Sequence, residues 1–407
     1  MIKKLRSNEK IRKILYIAVA FFFFAFVVSV PLFEVKCRIV PYFCISLLGL
    51  TSLLYCFLYK TLKLPRVVMI PLLFAAFTFF STALFSKQFR SWITIVLLCF
   101  SIVIFYYSFR TIDNKKICFY SVLFAIVVFS LVFLAESMPT LLKTKDFTLV
   151  RLGEQYGNQN SVSAYLAFGC AFSIYCALLF KKRFSTYVLC ALTLILCLFC
   201  GILTGSRTFL ILLAADILLA VVILLHRKPL LLVVVLVSLV ALAIIVLNLP
   251  SSSGIKHRFL NFFNGLDMSS ISRDVWREYG FSLGLQNVLF GWGADGFKTF
   301  SGTFSYSHSN FSEVFCNFGI IGFFLFYSSY LWIFSRVLQN NNENNIIFYI
   351  FLLNIVIKSF FNVFYIKKLD MMELALMLFC IETFSKKSES LHPIKSNVEK
   401  GYYSVCI

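Results

Sequence analysis

Apolar stretches of about 20 residues recur along this chain, separated by shorter polar segments. A helix of that length crosses the roughly 30 Å hydrocarbon core of a bilayer and satisfies its own backbone hydrogen bonds there. The pattern therefore predicts an all-α fold, a polytopic membrane bundle of about 12 helices. The predicted spans are residues 14–33, 39–59, 67–86, 91–109, 117–136, 161–180, 185–203, 208–225, 229–249, 311–334, 346–365 and 371–385.

The spacing of the spans divides the chain into four parts. Residues 1–250 hold the first nine spans, and residues 251–310 form one long polar loop. Residues 311–387 hold the last three spans, and residues 388–407 are a polar tail. The first apolar stretch is too long for a signal peptide and no small-residue cleavage site follows it, so it is predicted to be a span.

Composition supports a membrane protein and explains the strong positive charge. Of the 407 residues 60% are hydrophobic and 14% charged, whereas soluble domains carry about 25% charged residues. The net charge of +20 would fit nucleic acid, but Lys and Arg cluster in segments such as 1–13 and 386–400. The positive-inside rule, which discounts long loops, then predicts cytoplasmic termini and an outer-face loop at 251–310. The basic residues are expected to contact anionic lipid, not nucleic acid.

The long loop contains GWGADG at residues 291–296, which matches the dinucleotide-binding pattern G-x-G-x-x-G. That pattern binds a cofactor only between a strand and a helix of a βαβ unit. Here an apolar helical chain surrounds it, no helix is expected directly after it, and the outer face holds no cytosolic cofactor. The sequence therefore argues against a nucleotide site.

Metal chemistry is not indicated either. Cys197-x-x-Cys200 lies in an apolar span without a second cysteine pair, so both residues are predicted to be small core residues. The outer carboxylates are scattered and form no cluster with histidine at ligand spacing. We expect no metal and no cofactor.

Two charges lie inside predicted spans, where ionisable groups are costly unless paired or functional. Asp216 and Lys358 are about equally deep from the outer face at 1.5 Å per residue. They are predicted to form an ion pair between their helices. The alternatives are Asn354 or Asn362 as partners, or a polar cavity below the active site.

Several motifs in order resemble the O-antigen ligase and Wzy-type polysaccharide polymerase superfamily, over residues 150–335. They are Arg151-x-Gly153 with Asn158-x-Asn160, Gly205-Ser206-Arg207-Thr208, Ser272-Arg273-Asp274 with Trp276, Gly291-x-Gly293 with Phe297, His308-x-Asn310, Glu313, and Gly319-x-x-Gly322. The resemblance implies transfer of a glycan from undecaprenyl pyrophosphate to an acceptor hydroxyl at the outer face of the bacterial cytoplasmic membrane, without a metal. It also implies a catalytic site of His308, Arg207 and Arg273.

The residues around His308 allow a structural and a catalytic interpretation. Asn310 and Glu313 have the spacing of a helix N-cap and an N3 acid, which predicts a capping box, and both are also candidates to support the site. His308 would then precede a helix N-terminus, whose dipole favours the neutral imidazole that a general base needs. The alternative is a loop histidine without a role. His257 lies in an amphipathic segment suited to the membrane surface.

The arginines are candidates for binding pyrophosphate. Arg207 begins a span, where the helix dipole disfavours a cation unless an anion binds there too. The alternative is an interfacial anchor. Arg273 and Arg277 are four residues apart and would repel on one helix face unless an anion lies between them, although Asp274 could neutralise Arg277. Arg151 is a further candidate.

These observations favour a metal-independent inverting glycosyltransferase. The leading hypothesis is a polymerase that joins undecaprenyl-pyrophosphate-linked repeat units into capsular, exo- or O-antigen polysaccharide. A ligase that transfers the glycan to a lipid or protein is the first alternative. A flippase for the lipid-linked glycan is the second, but its expected paired halves or matching broken helices are not seen. Membrane lipid and other polysaccharide-assembly proteins are expected partners.

Overall fold

A computed structural model describes residues 8–33, 36–37, 39–59, 65–112, 115–143, 156, 159–180, 184–225, 268–302, 305–339 and 346–389. Over these ranges the chain is helical and contains no strand. The helices are α1 (Glu9–Phe33), α2 (Ile39–Tyr59), α3 (Arg66–Leu84), α4 (Phe89–Ile112), α5 (Lys115–Lys143), α6 (Gln159–Leu179), α7 (Phe184–Leu203), α8 (Arg207–Leu225), α9 (Met268–Leu285), α10 (Gly296–Ser301), α11 (Asn310–Gln339), α12 (Ile346–Phe361) and α13 (Lys368–Glu389).

The all-α membrane fold is confirmed. Within the described ranges, seven helices are long and apolar enough to cross a membrane, namely α1 to α4, residues Ile117–Thr140 of α5, α7 and α11, and α12 contains a shorter apolar stretch. Each predicted span within the described ranges coincides with a helix to within a few residues. Predicted span 9 (229–249) and the first part of the long loop lie outside the described residues. The total of twelve spans remains a prediction.

The bundle is apolar on its outside as well as inside. On α2 the side chains of Phe43, Leu50 and Phe57 are exposed by 64%, 66% and 51%. Their spacing of seven residues places them along one stripe of the helix. Water would disfavour so long an apolar stripe, whereas lipid chains would cover it. The interior is filled by aromatic pairs such as Phe26 and Phe105, whose ring centroids are 4.9 Å apart.

Contacts between helix ends agree with the predicted alternation of the spans. Lys36, after α1, makes an ion pair of 2.7 Å with Glu136 near the end of α5, and both positions are predicted to be outer. At the other end the Arg12 Nε donates to Tyr55 Oη at 3.4 Å, and both positions are predicted to be inner. The predicted outer ends therefore meet at one end of the bundle.

The two cysteines of the C-x-x-C motif are core residues, as predicted. Cys197 and Cys200 are fully buried in α7, and neither forms a disulfide.

The predicted ion pair between Asp216 and Lys358 is wrong. The Lys358 ammonium instead contacts Asp370 at 3.0 Å and Glu373 at 2.9 Å, both in the first turns of α13. Asp216 Oδ2 accepts a hydrogen bond from the Asn354 side chain at 3.3 Å, which was one of the alternatives. Because α13 folds back directly after α12, it presents two carboxylates to Lys358, and two carboxylates attract the ammonium more strongly than one.

Candidate functional site

The segment after α9 pairs with a break in α11. Gly319, inside α11, has φ 60° and ψ −166°, which is not helical. The backbone on either side of the break binds the preceding loop. Trp292 N–H donates to Cys316 O at 2.9 Å, and Ile320 N–H donates to Val288 O at 2.7 Å. Residues 288–293 and the broken part of α11 form a backbone clamp, called here the glycine clamp.

The glycines of GWGADG are needed for this close approach. Gly291 has φ +65°, and a Cβ there would lie 2.4 Å from the backbone nitrogen of Gly319. Gly293 has φ +84°, and its Cβ would lie 2.8 Å from Thr82 Cα at the end of α3. Its N–H donates to Asn317 O at 2.6 Å. Only glycine combines this backbone conformation with so little space, so the motif has a structural role.

The expectation that no helix directly follows GWGADG is wrong, but the structure still argues against a nucleotide site there. A short helix, α10, does begin directly at Gly296, after Asp295 in the left-handed conformation. Asp295 accepts hydrogen bonds from Ser91 and from Lys298, so its carboxylate is engaged by neighbours of the clamp. No strand occurs in the described ranges, and a βαβ unit is what a dinucleotide would require.

His308 lies two residues before α11 in a strained but well-held loop. Its φ is +63°, a left-handed conformation that few residues adopt and that histidine tolerates better than most. The ring is half-buried and packs against the Tyr306 ring at 4.5 Å between centroids. The preceding N–H, of Ser307, donates to Glu313 Oε2 at 2.7 Å.

The surroundings of His308 keep its imidazole neutral at pH 7. Burial, and then the positive charge of nearby Arg273, lower the pKa of His308 to about 4. Neutral imidazole was predicted from the helix dipole, and burial and Arg273 provide further physical causes for it. The same effect places Arg273 within electrostatic range of His308.

The predicted capping box of Asn310 and Glu313 is wrong. The helix begins at Asn310 itself, and Glu313 N–H donates to Ser309 O at 3.0 Å, which makes Ser309 the N-cap. The Asn310 side-chain oxygen instead accepts from the N–H groups of Phe364 and Tyr365 at 3.0 and 2.9 Å. Both residues therefore support the loop, since Glu313 holds its backbone and Asn310 ties it to the segment after α12.

Arg273 approaches His308 because α9 packs closely on α11. A Cβ on Gly280 would lie 3.2 Å from the Cβ atoms of Ser307 and Ser312, so the helices nearly touch there. Arg273 and Gly280 are seven residues apart and share this helix face. Close packing at Gly280 therefore holds the helix that carries Arg273 against the histidine loop.

Arg277 is neutralised by Asp274, which was the alternative to an anion bound between Arg273 and Arg277. Its guanidinium makes an ion pair of 3.0 Å with Asp274, three residues earlier on α9. An anion is not required to offset its repulsion with Arg273.

Arg207 begins α8, as predicted. The residue before it, Ser206, donates to Asn160 Oδ1 at 3.0 Å and accepts from Ser163 Oγ at 2.8 Å. These bonds join the start of α8 to the first turn of α6, at the same end of the bundle as His308. Arg151 lies outside the described residues.

Some residues of this site belong to no recognisable sequence motif. Asn317 is fully buried, accepts from Phe297 N–H at 2.7 Å and donates to Tyr365 Oη at 3.0 Å. The glycines 280 and 284, four residues apart on one helix face, could have predicted the close packing of α9. Among the described residues, no group of three His, Cys, Asp or Glu is arranged to hold a metal ion.

Comparison with known proteins agrees with this geometry. Residues 192–327 match a family model described as O-antigen ligase. The matched region contains Arg207, Arg273, His308 and the glycine clamp, and begins after the earlier motif at Arg151. No curated protein matches the chain. Over residues 192–327 the chain is thus similar to the O-antigen ligase family, which supports its resemblance to the O-antigen ligase and Wzy-type polymerase superfamily.

Proposed function

We propose that this protein polymerises undecaprenyl-pyrophosphate-linked repeat units into a cell-surface polysaccharide, at the outer face of a bacterial cytoplasmic membrane. The observation that carries the proposal is the neutral, half-buried His308 beside Arg273 within the region similar to the O-antigen ligase family. A base and an anion-binding cation at one place are what glycan transfer from a lipid pyrophosphate requires.

The proposed step is an inverting substitution at the anomeric carbon of the donor sugar. His308 accepts the proton of the acceptor hydroxyl as its oxygen bonds to that carbon. The bond between the carbon and the pyrophosphate oxygen breaks, and the lipid pyrophosphate leaves with the electron pair. One proton moves to the imidazole and a glycosidic bond replaces the bond between the anomeric carbon and the pyrophosphate, so the step changes no oxidation state and needs no redox cofactor.

The arginines would stabilise the leaving group. Arg273 lies near His308, where negative charge develops on the pyrophosphate, and guanidinium binds phosphate oxygens in a bidentate manner. Arg207 at the start of α8 would add a second contact, supported by the helix N-terminus. Arg277, paired with Asp274, has the weaker claim, and Arg151 is proposed from the motif alone.

Pyrophosphate binding would also activate the base. The charge of Arg273 contributes to the low pKa of His308, so an anion on Arg273 would offset that charge and raise the pKa. The imidazole would then become a stronger base only when the donor is bound. In the free enzyme it would stay unprotonated and ready to accept the proton of the acceptor hydroxyl.

The membrane arrangement completes the proposal. The uneven distribution of Lys and Arg supports cytoplasmic termini and an outer position for His308. A ligase would use the same chemistry with a different acceptor, so the product must be measured. Other polysaccharide-assembly proteins and membrane lipid are the proposed partners.

The test compares the glycans of a deletion strain that expresses either the wild type or a His308 variant. His308→Asn is the sharpest variant, because asparagine tolerates the left-handed backbone at φ +63° but is no base. We expect single repeat units on lipid with the deletion and with His308→Asn, and long chains with the control His257→Asn. Long unattached chains in the deletion strain would instead identify a ligase. Wild-type chain length from His308→Asn at normal protein level would refute the role of the histidine.

A further inference from the structure

The turn between α12 and α13, at residues 362–367, is tied to both sides of the candidate site. On one side the Asn310 side-chain oxygen accepts two backbone N–H bonds from this turn, at 3.0 and 2.9 Å, and Asn310 lies two residues after His308. On the other side Lys367 Nζ donates to Ser161 Oγ at 2.7 Å, in the first turn of α6. The turn therefore places Lys367 between the loop of the proposed base and the start of α6.

The start of α6 is bound in turn to the start of α8. Asn160, next to Ser161 in the chain, accepts from Ser206 Oγ at 3.0 Å. Ser206 directly precedes Arg207. Two hydrogen bonds and two neighbours in the chain thus connect the Lys367 ammonium to Arg207. Both helices begin at this end of the bundle, which is predicted to be outer, so the positive ends of their dipoles lie here.

Lys367 is a half-buried cation that makes no ion pair with any residue in the part of the chain that the structure describes. The acidic residues that follow it on α13, Asp370 and Glu373, are both engaged by Lys358, at 3.0 and 2.9 Å. The hydroxyl of Ser161 is neutral, so the positive charge of Lys367 stays uncompensated. An ammonium has three donors, of which Ser161 accepts one. Such a lysine is suited to bind an anion as a point charge.

We propose that Lys367 binds the pyrophosphate of the lipid-linked donor, as a third cation besides Arg207 and Arg273. The inference rests on the proposed function and adds a substrate-binding residue to it. A pyrophosphate has two phosphate groups, and its negative charge grows as the bond to the sugar breaks. Cations on three different elements would hold this leaving group in one position.

The experiment measures binding of undecaprenyl pyrophosphate, without a glycan, to the full-length protein in detergent. Native mass spectrometry gives its Kd and also the number of phospholipids that stay bound. Lys367→Met removes the charge and keeps an unbranched side chain, and Lys367→Arg keeps the charge. Lys87→Met is the matched control, because Lys87 is an exposed lysine in another turn that is predicted to be outer, between α3 and α4.

We expect Lys367→Met to weaken binding of undecaprenyl pyrophosphate about 10-fold, the effect of one hydrogen bond to a charged group. Lys367→Arg should restore most of the affinity, and Lys87→Met should leave the Kd unchanged. Ser161→Ala removes the hydrogen bond of Lys367 but keeps its charge, so it should weaken binding less than Lys367→Met does.

An equal Kd for Lys367→Met and the wild type would overturn the proposal. If Lys367→Met at the same time retained less phosphatidylglycerol, the phosphate that Lys367 binds would be that of a membrane phospholipid. Equal weakening by Ser161→Ala and Lys367→Met would show that Lys367 makes only a structural contact.

The proposed function is judged separately, in the same preparations. His308→Asn should bind undecaprenyl pyrophosphate with the Kd of the wild type and transfer no glycan. If the wild type itself does not bind undecaprenyl pyrophosphate, the donor assumed in the proposed function is wrong. If the wild type binds it and Lys367→Met binds it equally well, only the assignment of Lys367 fails.

Discussion

Replacing Gly291 by alanine should open the glycine clamp. A Cβ at this position would lie 2.4 Å from the Gly319 nitrogen, and the backbone has φ +65°. Gly302 is a matched control with φ +66°, because a Cβ there meets no atom within 4 Å. Both substitutions impose the same backbone strain, and only Gly291→Ala adds a clash with backbone that cannot rotate away.

The structure sets the size of the difference. The left-handed conformation costs an L-residue about 1–2 kcal/mol, which is all that Gly302→Ala should lose. In Gly291→Ala the two backbone segments must move apart by about 0.6 Å for the new Cβ to lie 3.0 Å from the Gly319 nitrogen. The same movement would stretch the neighbouring hydrogen bond from Trp292 N–H to Cys316 O, now 2.9 Å, to about 3.5 Å. Each buried group that loses its partner costs about 1–3 kcal/mol. With one such group lost, Gly291→Ala should therefore cost about 2–5 kcal/mol in all.

Thermal unfolding in detergent can be followed with a maleimide that fluoresces on reaction with thiols. The described cysteines are free and most are buried, including Cys316 in the clamp itself. The decrease in Tm should be larger for Gly291→Ala than for Gly302→Ala, and the thiols of Gly291→Ala should react with the maleimide at a lower temperature. Equal Tm values for the two variants would show that the clamp adds no stability.

Three further predictions concern charge. Activity should fall at acid pH as His308 becomes protonated, with the acidic limb of kcat/KM near pH 4. The acidic limb of kcat should lie at higher pH, because a bound pyrophosphate is expected to raise the pKa of His308. Coincident limbs would contradict this effect of the donor. Lys358→Met should cost about 3–5 kcal/mol in thermal stability by leaving two buried carboxylates uncompensated, whereas the exposed Lys13→Met should cost less than about 1 kcal/mol; similar Tm shifts would argue against a structural role for the buried cluster. Arg207→Lys should impair glycan transfer strongly, because lysine lacks the bidentate fork, and Arg277→Lys should be mild; the reverse order would exchange their proposed roles.

The membrane fold was predictable because it depends on composition over whole segments. A span needs only enough apolar residues in a row, and the order of those residues matters little. The sequence pattern therefore located the helices from α1 to α8 and from α11 to α13. It gave no helix for residues 268–301, since α9 and α10 are short or polar and owe their position to packing on α11.

Side-chain partners were less predictable, because they depend on contacts between distant parts of the chain. Asn310 looked like a helix cap from its local spacing, yet it binds backbone 54 and 55 residues away. Lys358 was assigned to Asp216 by depth alone, although residues on the next helix are closer. A one-dimensional pattern can predict which polar groups need partners, but it cannot choose among several at similar depth.

The glycine clamp fixes the two helices that adjoin the candidate site. A catalytic group must be held to within about 0.5 Å by elements that are themselves fixed. Here α9 carries Arg273, and α11 follows directly on His308. The two helices are joined by close packing at Gly280 and by the backbone bonds around Gly319. A clash at Gly291 should therefore disturb the distance between base and arginine as well as stability, so the surviving fraction of Gly291→Ala should show a lower kcat than the wild type.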